Sequence, residues 1–200
     1  MTEILYVGFW TLTYVLIIIA SYKSRRISMV SMPYIAGILN LAWESCALIS
    51  TPTFWGYYPW IVLDVIIAYI GYRFLSSKKD KYKYTITIIL STIFLHLLTL
   101  LWESTLIISV YAIDLIMAIL YILQLRSISP KLRITIAITR LLGDLFAAVE
   151  VLQSPLKELY PLVIIVFILN CIYLVMTILE RSRNKYDAYH NHSKQKHTSP

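Results

Sequence analysis

Residues 28–50 read SMVSMPYIAGILNLAWESCALIS, an apolar run whose only charged side chain is Glu44. The run is long enough to cross a bilayer as a helix. A charged side chain at the centre of such a span costs about 2.5–3.5 kcal/mol on insertion scales. No basic residue stands one helical turn from Glu44 to offset that. Asn40, Trp43 and Glu44 are spaced i, i+3 and i+4, so in a helix they share one face. That face presents an amide, a large π surface and an acid to whatever the other helices enclose. It reads either as a polar knot gluing helices together or as a functional acid in a dry pocket.

The rest of the chain has the same character. It is 58% hydrophobic and only 14% charged over 200 residues, whereas soluble domains carry about 25% charged residues. Apolar stretches of about 20 residues recur, the length of a membrane span. The expected fold class is all-α: a seven-helix transmembrane bundle, with spans at Ile4–Tyr22, Ser28–Ser50, Tyr57–Leu75, Tyr84–Trp102, Thr105–Leu125, Ile134–Leu152 and Pro161–Leu179. Residues 1–181 then form one membrane domain, and 182–200 a polar cytoplasmic tail expected to be disordered. The first span is not expected to be a cleavable signal, since Glu3 precedes it and Lys23, Arg25 and Arg26 follow it.

The formal charge of +7 does not point to nucleic acid, because of where it sits. On this span assignment sixteen basic residues fall in the first, third and fifth connections and the tail, against Lys157 alone on the opposite side. The positive-inside rule then sets the N-terminus outside or lumenal and the C-terminus cytoplasmic. The Ile- and Lys-rich composition suits a bacterial plasma membrane, or the ER membrane in a eukaryote. Trp55, Tyr57, Tyr58, Trp60 and Trp102 near the outer connections read as interfacial anchors.

The buried polar groups are the candidates for chemistry. Glu44 and Asp64 each lie about two turns below the outer end of their spans, while Asp114 and Asn170 lie nearer mid-membrane. Arg140 stands one turn before Asp144, so those two are expected to pair within the sixth helix. His96 reads as a hydrogen-bonded core residue, and Cys46 and Cys171 as packing thiols. His190, His192 and His197 in the tail are not expected to make a metal site, since no acid or Cys completes a ligand set. No Gly-rich phosphate loop, zinc-binding His/Glu helix or aspartate-rich diphosphate motif is present. A carboxylic acid held in a low-dielectric pocket without a cation keeps its proton. Beside aromatic faces it suits protonation of an epoxide oxygen or an alkene, with π faces sheltering the resulting cation. The same acids would suit a small proton-coupled transporter, and the bundle alone would suit a lipid-binding membrane protein.

Leu41-Ala42-Trp43-Glu44-Ser45 is echoed at Leu100-Leu101-Trp102-Glu103-Ser104, each followed by a span carrying an acid, Asp64 and Asp114. Several further stretches fall in order along the chain: Trp10-Thr11-Leu12-Thr13-Tyr14, Ser24-Arg25-Arg26 with Met32, Trp60-Ile61-Val62-Leu63-Asp64, Arg140-Leu141-Leu142-Gly143, and Asn170 with Tyr173. With Asn40, Trp43 and Glu44, this order resembles the small seven-helix integral-membrane terpene cyclases of fungal meroterpenoid and indole-diterpene pathways and their bacterial relatives. The resemblance runs nearly end to end.

It implies proton-initiated cyclisation of a prenyl chain on a lipophilic acceptor, with no metal, no cofactor and no loss of diphosphate. The implied partners are a lipophilic prenylated substrate and membrane lipid. Glu44 falls on an acid regarded as essential in that family. The second family acid, on the last helix, corresponds here to Asn170, an amide that cannot donate as an acid does. Asp64, at similar depth to Glu44, is the expected substitute. Asn40, Asp114 and Asn170 are expected to shape the polar end of the pocket. Trp43 and Tyr173 are expected to hold the folded chain.

Overall fold

The computed structural model describes residues 2–24, 39–101, 105–123, 130–153 and 157–197. These form seven α-helices: α1 Thr2–Ser24, α2 Leu41–Ser50, α3 Tyr57–Phe74, α4 Lys78–Leu101, α5 Thr105–Leu123, α6 Pro130–Gln153 and α7 Tyr160–His197. A short 3-10 turn, Lys157–Leu159, leads into α7, and no strand occurs among the described residues. The all-helical expectation holds. Three helical stretches are long and apolar enough to cross a membrane: Thr2–Lys23, Lys78–Leu101 and Lys157–Arg183. They suggest a membrane protein.

Local chemistry explains most of the boundaries. Ser77 caps α4 reciprocally: its Oγ accepts from the Asp80 amide at 3.0 Å and donates to Asp80 Oδ2 at 2.6 Å. Pro59, Pro130 and Pro161 all sit in first turns, where a missing N–H is harmless. α2 closes with the Thr51 amide donating to Ala47 O at 2.8 Å, immediately before Pro52. Of the expected span at 28–50, residues 28–38 lie outside the described residues, as do Trp102, Glu103 and Ser104 of the internal echo. α7 continues as helix to His197, into the stretch read as a tail. No proline interrupts it before Pro200.

The packing forms a ring. α1 packs against α6, α6 against α7, α7 against α5, α5 against α2, α2 against α3, and α3 back against α1. α4 lies outside this ring, chiefly against α2. Tyr84 is its one buried side chain among the described residues, and Ile89, Leu90, Ile93, Phe94, Leu97 and Leu100 all face outward. Thr85, Thr87 and Thr92 satisfy their hydroxyls on carbonyls four residues earlier, at 3.0, 2.8 and 2.9 Å. Such back-bonding lets a helix with an apolar exterior carry threonine without an unpaired donor. The core is built from Trp10, Tyr14, Ile17, Trp43, Cys46, Trp60, Met117, Tyr121, Ile136 and Tyr173, among others.

Arg133, counted above among the loop cations, is only 3% exposed and is ion-paired with Glu180 across α6 and α7. Its carboxylate partner meets the desolvation penalty that an isolated buried guanidinium would face.

Candidate active site

On α1, Tyr6, Trp10 and Tyr14 recur every fourth residue and so form one stripe. On α5, Val110, Ile113 and Asp114 share a face by the same logic. These two faces, with Asn40, Trp43 and Glu44 at the start of α2 and Trp60 on α3, enclose a cleft of about 380 Å³. Half of its lining residues are aromatic. Tyr6 and Trp60 meet edge to face at 5.3 Å, and Trp43 rests on Tyr57 at 5.7 Å. Trp60 Nε1 donates to Thr11 Oγ1 at 3.1 Å, which ties α3 to α1.

Glu44 is 2% exposed and Asp64 fully buried. Tyr14 Oη donates to Glu44 Oε1 at 3.5 Å and accepts from Asn40 Nδ2 at 3.3 Å. Asn40 is free to do so because it is not spent on capping α2: its backbone is already right-handed helical and its side chain caps nothing. Residues 39–40 form a π turn, a local widening that often accompanies functional sites. Among the described residues, Glu44 Oε2 and both Asp64 oxygens receive no hydrogen bond from an amide or hydroxyl. Their neighbour is each other, since the two carboxyl groups lie within hydrogen-bonding reach. Two carboxyls in contact bond only when one keeps its proton, so the pair has the form of a shared-proton dyad. Glu44 lines the cleft, while Asp64 sits behind it, one turn along α3 from Trp60.

A second polar cluster lies between α5, α6 and α7. Arg140 is fully buried; its Nη2 donates to the main-chain oxygen of Asp114 at 3.1 Å, and its Nε stands 4.0 Å from Asp144 Oδ2. Its guanidinium covers the Tyr121 ring at 4.5 Å and the Trp10 ring at 5.6 Å. Asn170 Nδ2 donates to Asp144 Oδ2. Tyr111, Asp114, Asp144, Ala147, Val163 and Val166 line a smaller cavity of about 210 Å³ here. Asp114 therefore borders both cavities.

The expected residues thus divide. Asn40, Trp43, Glu44 and Asp114 line one cleft, with Asp64 against Glu44. Asn170 and Tyr173 do not line it. Asn170 is held by Asp144, and Tyr173 packs on Tyr121 at 5.1 Å. The Arg140–Asp144 pairing expected within one helix is present, at the long limit of an ion pair. Two expectations need correction. Trp60 is 4% exposed and forms the cleft wall, because its indole N–H finds Thr11 inside the bundle. His96 Nδ1 has no hydrogen-bond partner among the described residues, since Thr92 and Thr99, one turn away on either side, donate their hydroxyls to the main-chain oxygens of Ile88 and His96. Tyr6, Trp10 and Tyr14 went unassigned as site residues; their four-residue spacing was the available signal. No group of three or more metal-ligating side chains occurs among the described residues. Comparison with models of known families, with curated proteins and with solved structures finds no match to this chain.

Proposed function

We propose that the chain is an integral-membrane, metal-independent terpene cyclase of seven spans. Its N-terminus lies outside, and its C-terminus is cytoplasmic. It cyclises a prenyl chain, as epoxide or alkene, carried on a lipophilic acceptor. One observation carries the reading: a carboxyl pair with no cation hydrogen-bonded to it among the described residues, set against an aromatic-walled cleft. Glu44 transfers its proton to the epoxide oxygen or terminal alkene. The carboxylate left behind keeps the hydrogen bond that Tyr14 donates to it. Trp10, Trp43 and Trp60 present π faces to the cation that forms and exclude water from it. Short α2 and the polar α6 count as spans because the ring encloses their polar faces, which is how intramembrane ionisable groups are tolerated.

The test is to express the protein in membranes and supply a farnesylated phenol with and without a terminal epoxide. Products are read by mass spectrometry and NMR, with Glu44→Gln in parallel. A cyclic isomer of unchanged mass, lost in the variant, is the expected result. Folded protein that yields no isomer, yet drives proton-dependent flux in proteoliposomes, would overturn it in favour of a small transporter.

A further inference from the structure

Cyclisation begins with a proton gained and ends with a proton lost, so a cyclase needs a base as well as an acid. On the cyclase reading above, we infer that Asp114 is the terminating base. It faces the same cleft as Glu44 but from α5, on a different wall. The two carboxyls differ in their surroundings. Glu44 accepts from Tyr14, which in turn accepts from Asn40, and both of these partners are uncharged. Asp114 has Arg140 beside it, with Nη2 bonded to its main-chain oxygen. That contact is to the main chain and Arg140 also pairs with Asp144, but its charge lies at the Asp114 end of the cleft and favours a carboxylate there, so the cleft has an acid end and a base end. The walls between are Tyr6, Trp10, Tyr14 and Ile113, with no basic side chain among the lining residues to compete for the proton.

The step balances without a co-reactant. The O–H bond of Glu44 breaks as a new O–H or C–H bond forms on the substrate, and ring closure moves the positive charge along the chain. The Asp114 carboxylate then takes a proton from the carbon next to the cation. That C–H electron pair becomes the alkene, and the product is an isomer of the substrate. Proton return from Asp114 to Glu44 through solvent resets the pair.

The experiment feeds the epoxidised farnesyl phenol to wild type, Glu44→Gln, Asp114→Asn and Asp114→Glu in membranes. It measures substrate consumed and the ratio of cyclic alkene to water-capped alcohol. Glu44→Gln should consume nothing. Asp114→Asn should still consume substrate, within about tenfold of wild type, but with alcohols or shifted alkene isomers replacing the native product. Asp114→Glu, which keeps the base, should restore the native alkene. An unchanged product ratio in Asp114→Asn would overturn the inference while leaving the cyclase reading standing. So would loss of consumption in both Asp114 variants, which would mark a structural role. No consumption by wild type would sink the cyclase reading itself.

Discussion

Adding one methyl group at Gly143 probes how tightly α6 is set against the cleft. A Cβ built there comes within 2.9 Å of Trp10 Cδ1, 3.0 Å of Nε1 and 3.3 Å of Cγ. Ordinary contact begins at 3.4 Å, so the indole must retreat by about 0.5 Å. Trp10 is packed in the core against the Arg140 guanidinium, so it can retreat only toward the cleft. Overpacking of this kind costs about 1–3 kcal/mol. The helix itself gains up to about 1 kcal/mol from replacing glycine with alanine. The net expectation for Gly143→Ala is a loss of about 0–2 kcal/mol, too close to zero to interpret alone.

A double-mutant cycle isolates the clash. Unfolding in mixed micelles would be measured for wild type, Gly143→Ala, Trp10→Ala and the double variant. With the indole gone, the alanine should become stabilising by up to about 1 kcal/mol, giving a coupling of about 1–3 kcal/mol. A coupling near zero would refute the close approach of α6 to α1 at this point.

Two further outcomes follow from the polar clusters. Asn170→Asp removes the donor to Asp144 and sets carboxyl against carboxyl, so it should lower stability by about 1–3 kcal/mol without raising cyclisation. Faster turnover in that variant, measured with the farnesyl phenol, would show that Asn170 belongs with the cleft after all. Tyr14→Phe removes the hydroxyl bridging Asn40 and Glu44, and should slow turnover about tenfold, near 1.4 kcal/mol. An unchanged rate would remove Tyr14 from the acid's hydrogen-bond network.

How much of this was legible beforehand varies with the kind of signal. Asn40, Trp43 and Glu44 were grouped by local spacing alone, and local spacing is what a helix preserves. Asp64 was reached by equal depth in neighbouring spans, a weaker argument, and it does meet Glu44. Asn170 was grouped with them by resemblance, but which helices touch is decided by tertiary packing. Here α7 sits against α5 and α6, so Asn170 meets Asp144 instead. Tyr14 was harder to see, because an aromatic residue within an apolar run looks the same whether it faces a core, a cleft or the exterior. Hydrophobic periodicity fails for the same reason on α4, whose outward leucines and isoleucines are as apolar as the core.

The position of α4 has a consequence for how this chain can change over generations. Because the ring closes without it, its outward residues meet little among the described residues whose shape they must match. Exchanging one aliphatic side chain for another there leaves hydropathy intact and disturbs no neighbour, so selection has little to act on. Substitutions should therefore accumulate along α4 faster than elsewhere, sparing Tyr84 and the small inward patch where Cys46 Sγ lies 3.7 Å from Thr92 O. A helix long and apolar enough to cross a membrane would then be the poorest guide to ancestry, and the aromatic stripe of α1 the better one.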